Sequence, residues 1–287
     1  NLGRLIAHRD AMARDFYDIR ESFSFFTFVA ATGVLGSRLA LSGWWTTAAI
    51  LLIIAATAWL VLGYLVPVVA VLGKTQRPLH KDANGSWFVW VVGAQSVAVL
   101  AATLEPHLEP VRDALAMTAV FAWSLGVILY VAVAVFVALR MMTFRLDARD
   151  FKPPYWVSMG ALAITVVAAA RIAEMASSPT VDATRGLVVG LAVLFWCFAT
   201  WMIPALFGIG IWRHMIAKVP LVYEPGLWSI VFPLGMYSVA GIYLGRVNDL
   251  PIVETVGSAW MWVAVTAWII TFAAMLRAIV LRISPRR

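Results

Sequence analysis

Eight long apolar runs constrain this chain more than any other feature of its 287-residue sequence. A helix that crosses a bilayer needs about twenty mostly apolar residues. Outer-membrane barrels instead show alternating segments of about ten residues. Hydrophobic residues make up 62% of the chain and charged residues only 13%, whereas a soluble domain is about one quarter charged. The sequence therefore predicts an all-α integral membrane protein with eight spans, at approximately 23–41, 45–73, 87–104, 114–139, 155–175, 186–212, 227–245 and 252–281.

Basic residues are distributed unequally between the two sides of these spans. Five of the 22 Lys and Arg residues fall on one side: Arg38, Arg112, Arg171, Arg185 and Arg246. The other seventeen fall on the opposite side: Arg4, Arg9, Arg14, Arg20, Lys74, Arg77, Lys81, Arg140, Arg145, Arg149, Lys152, Arg213, Lys218, Arg277, Arg282, Arg286 and Arg287. Lys and Arg accumulate on the cytoplasmic side of membrane proteins. We therefore predict a multi-pass protein of the plasma (inner) membrane, with both ends of this chain cytoplasmic.

Alternate spans differ in length and composition, which reveals an internal repeat. The shorter span of each pair is rich in aromatic residues at its start, and Phe28, Trp90, Trp156 and Trp228 align at intervals of 62, 66 and 72 residues. The longer span is more uniformly apolar, as expected for a helix that faces lipid. We predict a cytoplasmic segment over 1–22, one membrane domain over 23–283 and a cytoplasmic tail over 284–287. The domain is predicted to be a ring of four helical hairpins with the short helices inside: 23–73, 87–139, 155–212 and 227–281.

Several membrane chemistries are disfavoured by what the spans contain. The four histidines fall in loops or at span ends, so no pair inside the membrane is placed to ligate haem. The single cysteine, Cys197, excludes a disulfide or a cysteine cluster within this chain. The sequence has no phosphate-binding loop of the Walker type. The sequence therefore favours a conduit or carrier over an enzyme, and it predicts no cofactor, no metal and no nucleic-acid partner. Topology and membrane lipids account for the basic loops.

Neutral polar residues on the short spans are the pore-lining candidates. A polar group in hydrocarbon must face protein or water, because leaving it without a partner costs several kcal/mol. Hydrogen bonding between helices is the alternative interpretation, and it applies to many of them. A pore lined by hydroxyls, amides and helix ends, without carboxylates, favours small anions. The candidates, with the neighbouring small residues and one methionine, are Thr32, Gly33, Gln95, Ser96, Met159, Gly160, Thr165, Gly235 and Ser238.

Three charged residues lie near the outer ends of short spans. Arg171 and Glu174 are three residues apart, a spacing that places them on one face of a helix. Arg38 lies near the outer end of the first span. Each residue has two interpretations. Its long side chain reaches the lipid headgroups, or it lines an outer vestibule.

The seventh span contains the most specific local pattern. Pro233 removes a backbone hydrogen bond and is expected to kink the helix. Gly235 adds conformational freedom two residues later. Phe232 then lies at the bend, where its ring either fills space between helices or projects across a central path.

Five segments of the chain resemble the tellurite-resistance and four-carbon-dicarboxylate transporter family, whose superfamily includes the plant slow anion channels. They are FFTFVAATGVLGS (25–37), GAQSVAVLAA (93–102), PPYWVSMGALAIT (153–165), FWCFATWMIPAL (195–206) and LWSIVFPLGMYSV (227–239). The resemblance implies ten helices as five hairpins around a pseudo-fivefold pore, assembled as a homotrimer. It also implies that a phenylalanine of the penultimate helix occludes the pore, and the matching position here is Phe232.

The chain departs from that family pattern in one respect. It has eight of the ten spans, and residues 8–21 resemble the cytoplasmic loop that follows the family's first hairpin. We therefore expect the first hairpin to be missing from this chain.

Three functions agree with the sequence. The first is a conduit for small anions or dicarboxylates that Phe232 and Pro233 gate. The second is a proton-coupled carrier of a dicarboxylate, tellurite or sulfite on the same scaffold. The third is an accessory subunit of a larger membrane complex. The close-packing pair Gly241 and Gly245 supports this third function.

Overall fold

A computed structural model describes residues 9–72 and 78–283, with the side chains of 282 and 283 excepted. Within those ranges eight helices are long and apolar enough to cross a membrane, and no strand is present. Part of the predicted cytoplasmic segment (1–8) and the whole predicted tail (284–287) lie outside the described residues. So do five of the basic residues used for the topology: Arg4, Lys74, Arg77, Arg286 and Arg287.

The eight spans follow a short amphipathic helix in chain order. Every backbone group of a span must be satisfied inside the bilayer, which is why apolar runs of this length form helices. The helices are α1 (Arg9–Tyr17), α2 (Phe26–Ala40), α3 (Trp45–Leu72), α4 (Phe88–Leu104), α5 (Arg112–Thr143), α6 (Val157–Glu174), α7 (Pro179–Ile211), α8 (Trp228–Val247) and α9 (Pro251–Ile283).

Two helices extend well beyond their predicted spans. Helix α5 begins at Arg112 and ends at Thr143, whereas the apolar run covers 114–139. Helix α7 begins at Pro179, seven residues before the run at 186. Hydropathy detects only the apolar part of a helix, and the additional segments include charged residues such as Arg112, Asp113, Asp182 and Arg185. The eight spans themselves are confirmed.

A single turn of 3₁₀ helix precedes each short helix, and we call these four segments the lead-in turns. They are Phe23–Phe25, Gly85–Trp87, Pro153–Trp156 and Pro225–Leu227. The turns give the repeat a structural register. In that register Trp156 is equivalent to Trp87, since each ends its turn, and not to Trp90 as the aromatic alignment predicts. Aromatic spacing was misleading here because both Trp87 and Trp90 lie at the start of the same hairpin.

The short helix of every hairpin is more buried than the long helix that follows it. In the second hairpin 83% of the apolar window of the short span is buried, against 39% of the long span. In the third hairpin the shares are 94% and 28%. The first and fourth hairpins show the same order, with 44% against 22% and 39% against 11%. Each of the short helices α2, α4, α6 and α8 is therefore more buried than the long helix that follows it.

The chain divides into two compact units. Unit 1 comprises the described residues of Asn1–Arg145 together with Arg171–Val188, and unit 2 comprises Leu146–Ala170 and Val189–Arg287. Helices α6 and α7 each contribute residues to both units. Helix α2 packs on α3 and α4 within unit 1, and α8 packs on α9 within unit 2.

Helices α2 and α4 of unit 1 approach each other closely through glycine. An added Cβ on Gly33 would lie 2.7 Å from the Cβ of Ser96, and one on Gly36 would lie 2.6 Å from a methyl group of Leu100. Gly93 accommodates the ring of Phe26 in the same way. The paired positions increase together along both helices, so α2 and α4 run parallel, as two equivalent helices of a hairpin repeat should.

Helices α8 and α9 of unit 2 form a second close pair. Gly241 faces Gly257, with an added Cβ 2.8 Å from the Gly257 Cα, and Gly245 faces the backbone of Glu254 at 2.6 Å. These contacts run antiparallel within one hairpin. The Gly241 and Gly245 face is therefore covered by this chain's own next helix.

An arginine at the end of a long helix bonds the loop before a lead-in turn in two hairpins. Arg140 donates from Nη1 to the carbonyl of Ala83 at 2.8 Å, and Arg213 donates from Nη1 to the carbonyl of Phe151. Ala83 and Phe151 each lie two residues before a lead-in turn. These bonds hold the two ends of a hairpin together at the basic side of the protein.

Candidate functional site

The candidate hydroxyl groups of unit 1 donate hydrogen bonds to backbone carbonyls of their own helices. Thr32 donates to the carbonyl of Phe28 at 2.8 Å, and Ser96 donates to that of Val92 at 2.7 Å. Both side chains are buried. Bonds to the carbonyl four residues earlier satisfy a hydroxyl without a partner helix. Gly33 lies directly against Ser96 at the α2–α4 contact.

Gln95 is the most deeply placed polar side chain of unit 1. It is 0% exposed, and its Nε2 donates to the carbonyl of Trp123 on α5 at 3.2 Å. Its Oε1 is buried and has no hydrogen-bond partner among the described residues. Gly126 of α5 leaves the space that the amide fills. Gln95 thus joins α4 to α5 through one of its two polar atoms.

In unit 2, Gly160 lies against the proline of the seventh span. An added Cβ on Gly160 would lie 2.8 Å from the Cγ of Pro233. The neighbouring candidates Met159 and Thr165 are buried, and Thr165 donates to the carbonyl of Ala161 at 2.7 Å. Glycine at position 160 therefore allows the first half of α6 to touch α8 at Pro233.

Ser238 of α8 takes part in helix packing. Its hydroxyl donates to the carbonyl of Gly257 on α9 at 2.8 Å, and the side chain is 3% exposed. This is the hydrogen bond between helices that was the alternative to a pore-lining role.

Phe232 has a distinctive place in the repeat. It is the fifth residue after its lead-in turn, and the corresponding residues of the other short helices are Ala30, Val92 and Ala161. At this level only α8 carries an aromatic ring. The Phe232 side chain is half-buried.

Gly235 lies beside Phe232 on the same face of α8, three residues later. An added Cβ on Gly235 would meet no atom within 4 Å among the described residues. Pro233, between them in sequence, is buried against Gly160. The Pro233 side of α8 is thus tightly packed, whereas Gly235 has open space beside it.

The three vestibule candidates behave differently. Arg171 donates from Nη1 to Oε2 of Glu174 at 2.8 Å, with 16% and 42% of the two side chains exposed. Arg38 is exposed, and its guanidinium makes no ion pair or hydrogen bond within residues 9–72 and 78–283. The structure therefore pairs the first two residues and leaves Arg38 in unit 1 without a carboxylate.

Sequence reasoning missed two charged features. Glu105 is 1% exposed at the end of α4, and its Oε1 lies 3.4 Å from Nε of Arg112. The motif EPHLEP around it looks like an ordinary polar loop, so burial could not be inferred. The second feature is a cavity beside Arg213, for which the sequence carries no signal. In the described parts of the chain, no three His, Cys, Asp or Glu side chains group in a way that could hold a metal ion.

Comparison with known proteins identifies the chain's relatives. The family model described as "voltage-dependent anion channel" matches residues 1–276. An uncharacterised membrane protein of Mycobacterium tuberculosis (strain H37Rv) is 53% identical over 148 residues, which are 52% of this chain and 75% of that protein. An uncharacterised transporter of Methanocaldococcus jannaschii is 23% identical over 199 residues, 69% of this chain and 57% of that protein. No solved structure matches.

The family match extends over nearly the whole described chain and agrees with the resemblance found in the sequence segments. The multi-pass, all-helical architecture is confirmed by the eight spanning helices. The roles of individual residues in conduction stay predictions.

Proposed function

This chain belongs to the voltage-dependent anion channel family, and on that premise we propose that it conducts small anions or dicarboxylates across the membrane. Phe232 is the group that blocks the path, and Pro233 sets its position. The observation that carries this proposal is the register of the repeat. Three short helices place Ala30, Val92 or Ala161 at the level where α8 places a phenyl ring.

The charges of the short helices support an anionic substrate. Helix α4 carries no Asp, Glu, Lys or Arg, and α2 carries only Arg38, near its end. The Asp, Glu, Lys and Arg residues of α6 and α8 lie in their last turns. Charged groups inside a membrane are costly and mark ion pathways. A path without fixed carboxylates does not attract cations, and the unpaired Arg38 raises the local concentration of anions.

Two further parts of the proposal rest on the sequence. The excess of Lys and Arg in one set of loops favours a cytoplasmic location for that side and for both ends of this chain. The trimer that the resemblance implies is the assembly we propose, and the molecular mass of the detergent-solubilised protein checks it.

Anion flux from liposomes tests the proposal. The full chain and its Phe232→Ala variant are reconstituted, and efflux of chloride, nitrate and a dicarboxylate is measured. We expect the variant to raise anion efflux by about tenfold, which corresponds to a barrier lower by about 1.4 kcal/mol. Cation efflux should remain at the background of empty liposomes.

Phe198→Ala is the matched control, because it removes the same ring from the lipid-exposed part of a long helix, α7. It should leave efflux unchanged. Equal efflux from wild type and a well-folded Phe232→Ala protein would contradict the gate. Saturable exchange that depends on a proton gradient would favour the coupled carrier instead.

A further inference from the structure

A cavity of about 770 Å³ lies wholly within unit 2. Its walls come from the loop and lead-in turn before α6, the end of α7 with the turn after it, the segment before α8, and the facing parts of α8 and α9. Most of the lining side chains are apolar, among them Phe207, Leu234 and Trp262. Pockets of about 300–1,000 Å³ hold small molecules, so this cavity has room for part of an amphiphile.

A second, smaller cavity adjoins the first. It measures about 250 Å³, and the two cavities share Pro153, Arg213, His214, Leu221 and Leu227. Unlike the larger cavity, its surface is more polar than apolar. Together they form an apolar chamber and a polar recess, with Arg213 and His214 where the two meet.

Arg213 has unused hydrogen-bonding capacity at this junction. Its Nη1 donates to the Phe151 carbonyl. Its Nε is buried and has no acceptor within the described parts of the chain. A buried N–H without a partner carries a desolvation cost that a ligand acceptor would relieve. Guanidinium groups bind phosphate with two N–H donors in one plane.

The surrounding charges are predominantly positive. Lys152 is exposed at the edge of the larger cavity. The Nδ1 of His214 lies 2.8 Å from the Val219 carbonyl, which leaves Nε2 for another partner. Glu224 lines the smaller cavity as the single carboxylate among the lining residues, and it is exposed. Two permanent cations against one solvated anion favour an acidic ligand.

The apolar chamber is continuous with the surface that faces lipid. Trp262 is 69% exposed and Ile270 is 63% exposed, although both line the cavity. Met215, in the helical turn Trp212–Ile216 that follows α7, is 73% exposed. In a membrane protein such side chains contact acyl chains, so a ligand can enter this cavity directly from the bilayer.

We propose that the two cavities form a binding site for an acidic glycerophospholipid. Its phosphate contacts Arg213, with Lys152 nearby, and an acyl chain occupies the apolar chamber between α7 and α9. Basic pockets between membrane helices at the basic side of a protein bind acidic headgroups in this way. Neither Phe232 nor Gly235 lines either cavity, and the test of this site does not depend on flux.

Lipid binding to the purified full chain tests the site. Native mass spectrometry and thermal unfolding in detergent compare phosphatidylglycerol, phosphatidylcholine and inorganic phosphate. We expect phosphatidylglycerol to remain bound and to raise the unfolding temperature, phosphatidylcholine to do so weakly, and phosphate to have no effect. Equal effects of the two lipids would overturn the proposal. Equal effects of phosphate and phosphatidylglycerol would show a simple anion site and would overturn it too.

Variants of two glycines of α7 distinguish the filling of the apolar chamber from a general effect of substitution in this helix. Gly210 lines the cavity and Gly208 does not, and an added Cβ meets no described atom within 4 Å at either position. Gly210→Leu should fill the chamber and weaken phosphatidylglycerol binding by at least about fivefold, because the acyl chain loses its place. Gly208→Leu should bind as wild type does. Similar affinities of the two variants would contradict the chamber's role.

The headgroup contact has its own variants. Arg213→Gln and Lys152→Gln should each weaken phosphatidylglycerol binding by about fivefold, the effect expected of one cation near acidic lipid. Arg149→Gln, an exposed residue of the same loop region that lines neither cavity, is the charge-matched control. Because Lys152 is exposed, Lys152→Gln should fold even if Arg213→Gln does not. Unchanged affinity in Lys152→Gln and in a folded Arg213→Gln would exclude the phosphate contact.

Discussion

Gly33 of unit 1 and Gly235 of unit 2 occupy the same position of the repeat, eight residues after the lead-in turns that end at Phe25 and Leu227. Their surroundings are opposite. Gly33 is pressed against the backbone and side chain of Ser96, with an added Cβ 2.7 Å from Ser96 Cβ and 2.9 Å from its carbonyl oxygen. Gly235 has no described atom within 4 Å of an added Cβ.

The comparison shows that a glycine at the same position of the repeat has two different structural roles. In α2 the glycine permits close helix packing, which drives association of membrane helices in the absence of a hydrophobic gain. In α8 the equivalent glycine leaves open space one turn after Phe232, in the helix that contains Pro233. The polar candidates follow the same division, since Thr32, Gln95 and Ser96 already have partners inside unit 1.

Enlarging Gly33 should have the largest effect on the protein. Gly33→Val forces a side chain against Ser96, and overpacking of this kind costs about 3 kcal/mol. We expect a clear loss of thermal stability and of monodisperse protein in size-exclusion chromatography. Gly63→Val is the control, because Gly63 of α3 has no described atom within 4 Å of an added Cβ. Equal stability of the two variants would show that the α2–α4 contact is not tight.

Enlarging Gly235 should change transport and leave stability intact. Gly235→Leu places a side chain in the open space beside Phe232, and we expect efflux in the Phe232→Ala background to fall by about tenfold. Replacement of a helical glycine gains up to about 1 kcal/mol of helix propensity, so the unfolding temperature should not fall. If a stable Gly235→Leu protein conducts as before, this face of α8 contacts lipid and not the path.

Replacing Gln95 should have the smallest effect. Gln95→Met keeps the length of the side chain while removing one hydrogen bond to Trp123 and one acceptor without a described partner. The two changes offset each other, so we expect a stability change below about 1 kcal/mol and unaltered efflux. A changed anion selectivity would restore the pore-lining prediction for Gln95 and weaken the contrast between the units.

Most of the fold could be predicted because span length and side of charge are properties of short segments. Runs such as 45–73 must be helical in a bilayer whatever lies next to them, and α3 begins at Trp45, the first residue of that prediction. The polar ends of α5 and α7 could not be located, because hydropathy does not distinguish a solvated helical turn from a loop.

The candidate site was only partly predictable, since the role of a residue depends on its neighbours in space. Pro233 and Phe232 stand out in the sequence, but the contact of Gly160 with Pro233 joins residues 73 positions apart. Ser238 and Thr32 are both hydroxyl residues on short helices. Only the structure shows that Ser238 bonds the next helix and that Thr32 bonds its own.

The sequence by itself determined that this chain is an all-helical, multi-pass membrane protein, with the eight spans found in its described residues, and which family it resembles. Those features rest on apolar length, charge asymmetry and local motifs, which act before any long-range contact forms. The tertiary structure decided which glycine closes a helix contact, which one leaves open space, and where Arg213 meets a cavity. These outcomes depend on atoms supplied by distant segments, and no local pattern records which segment will supply them.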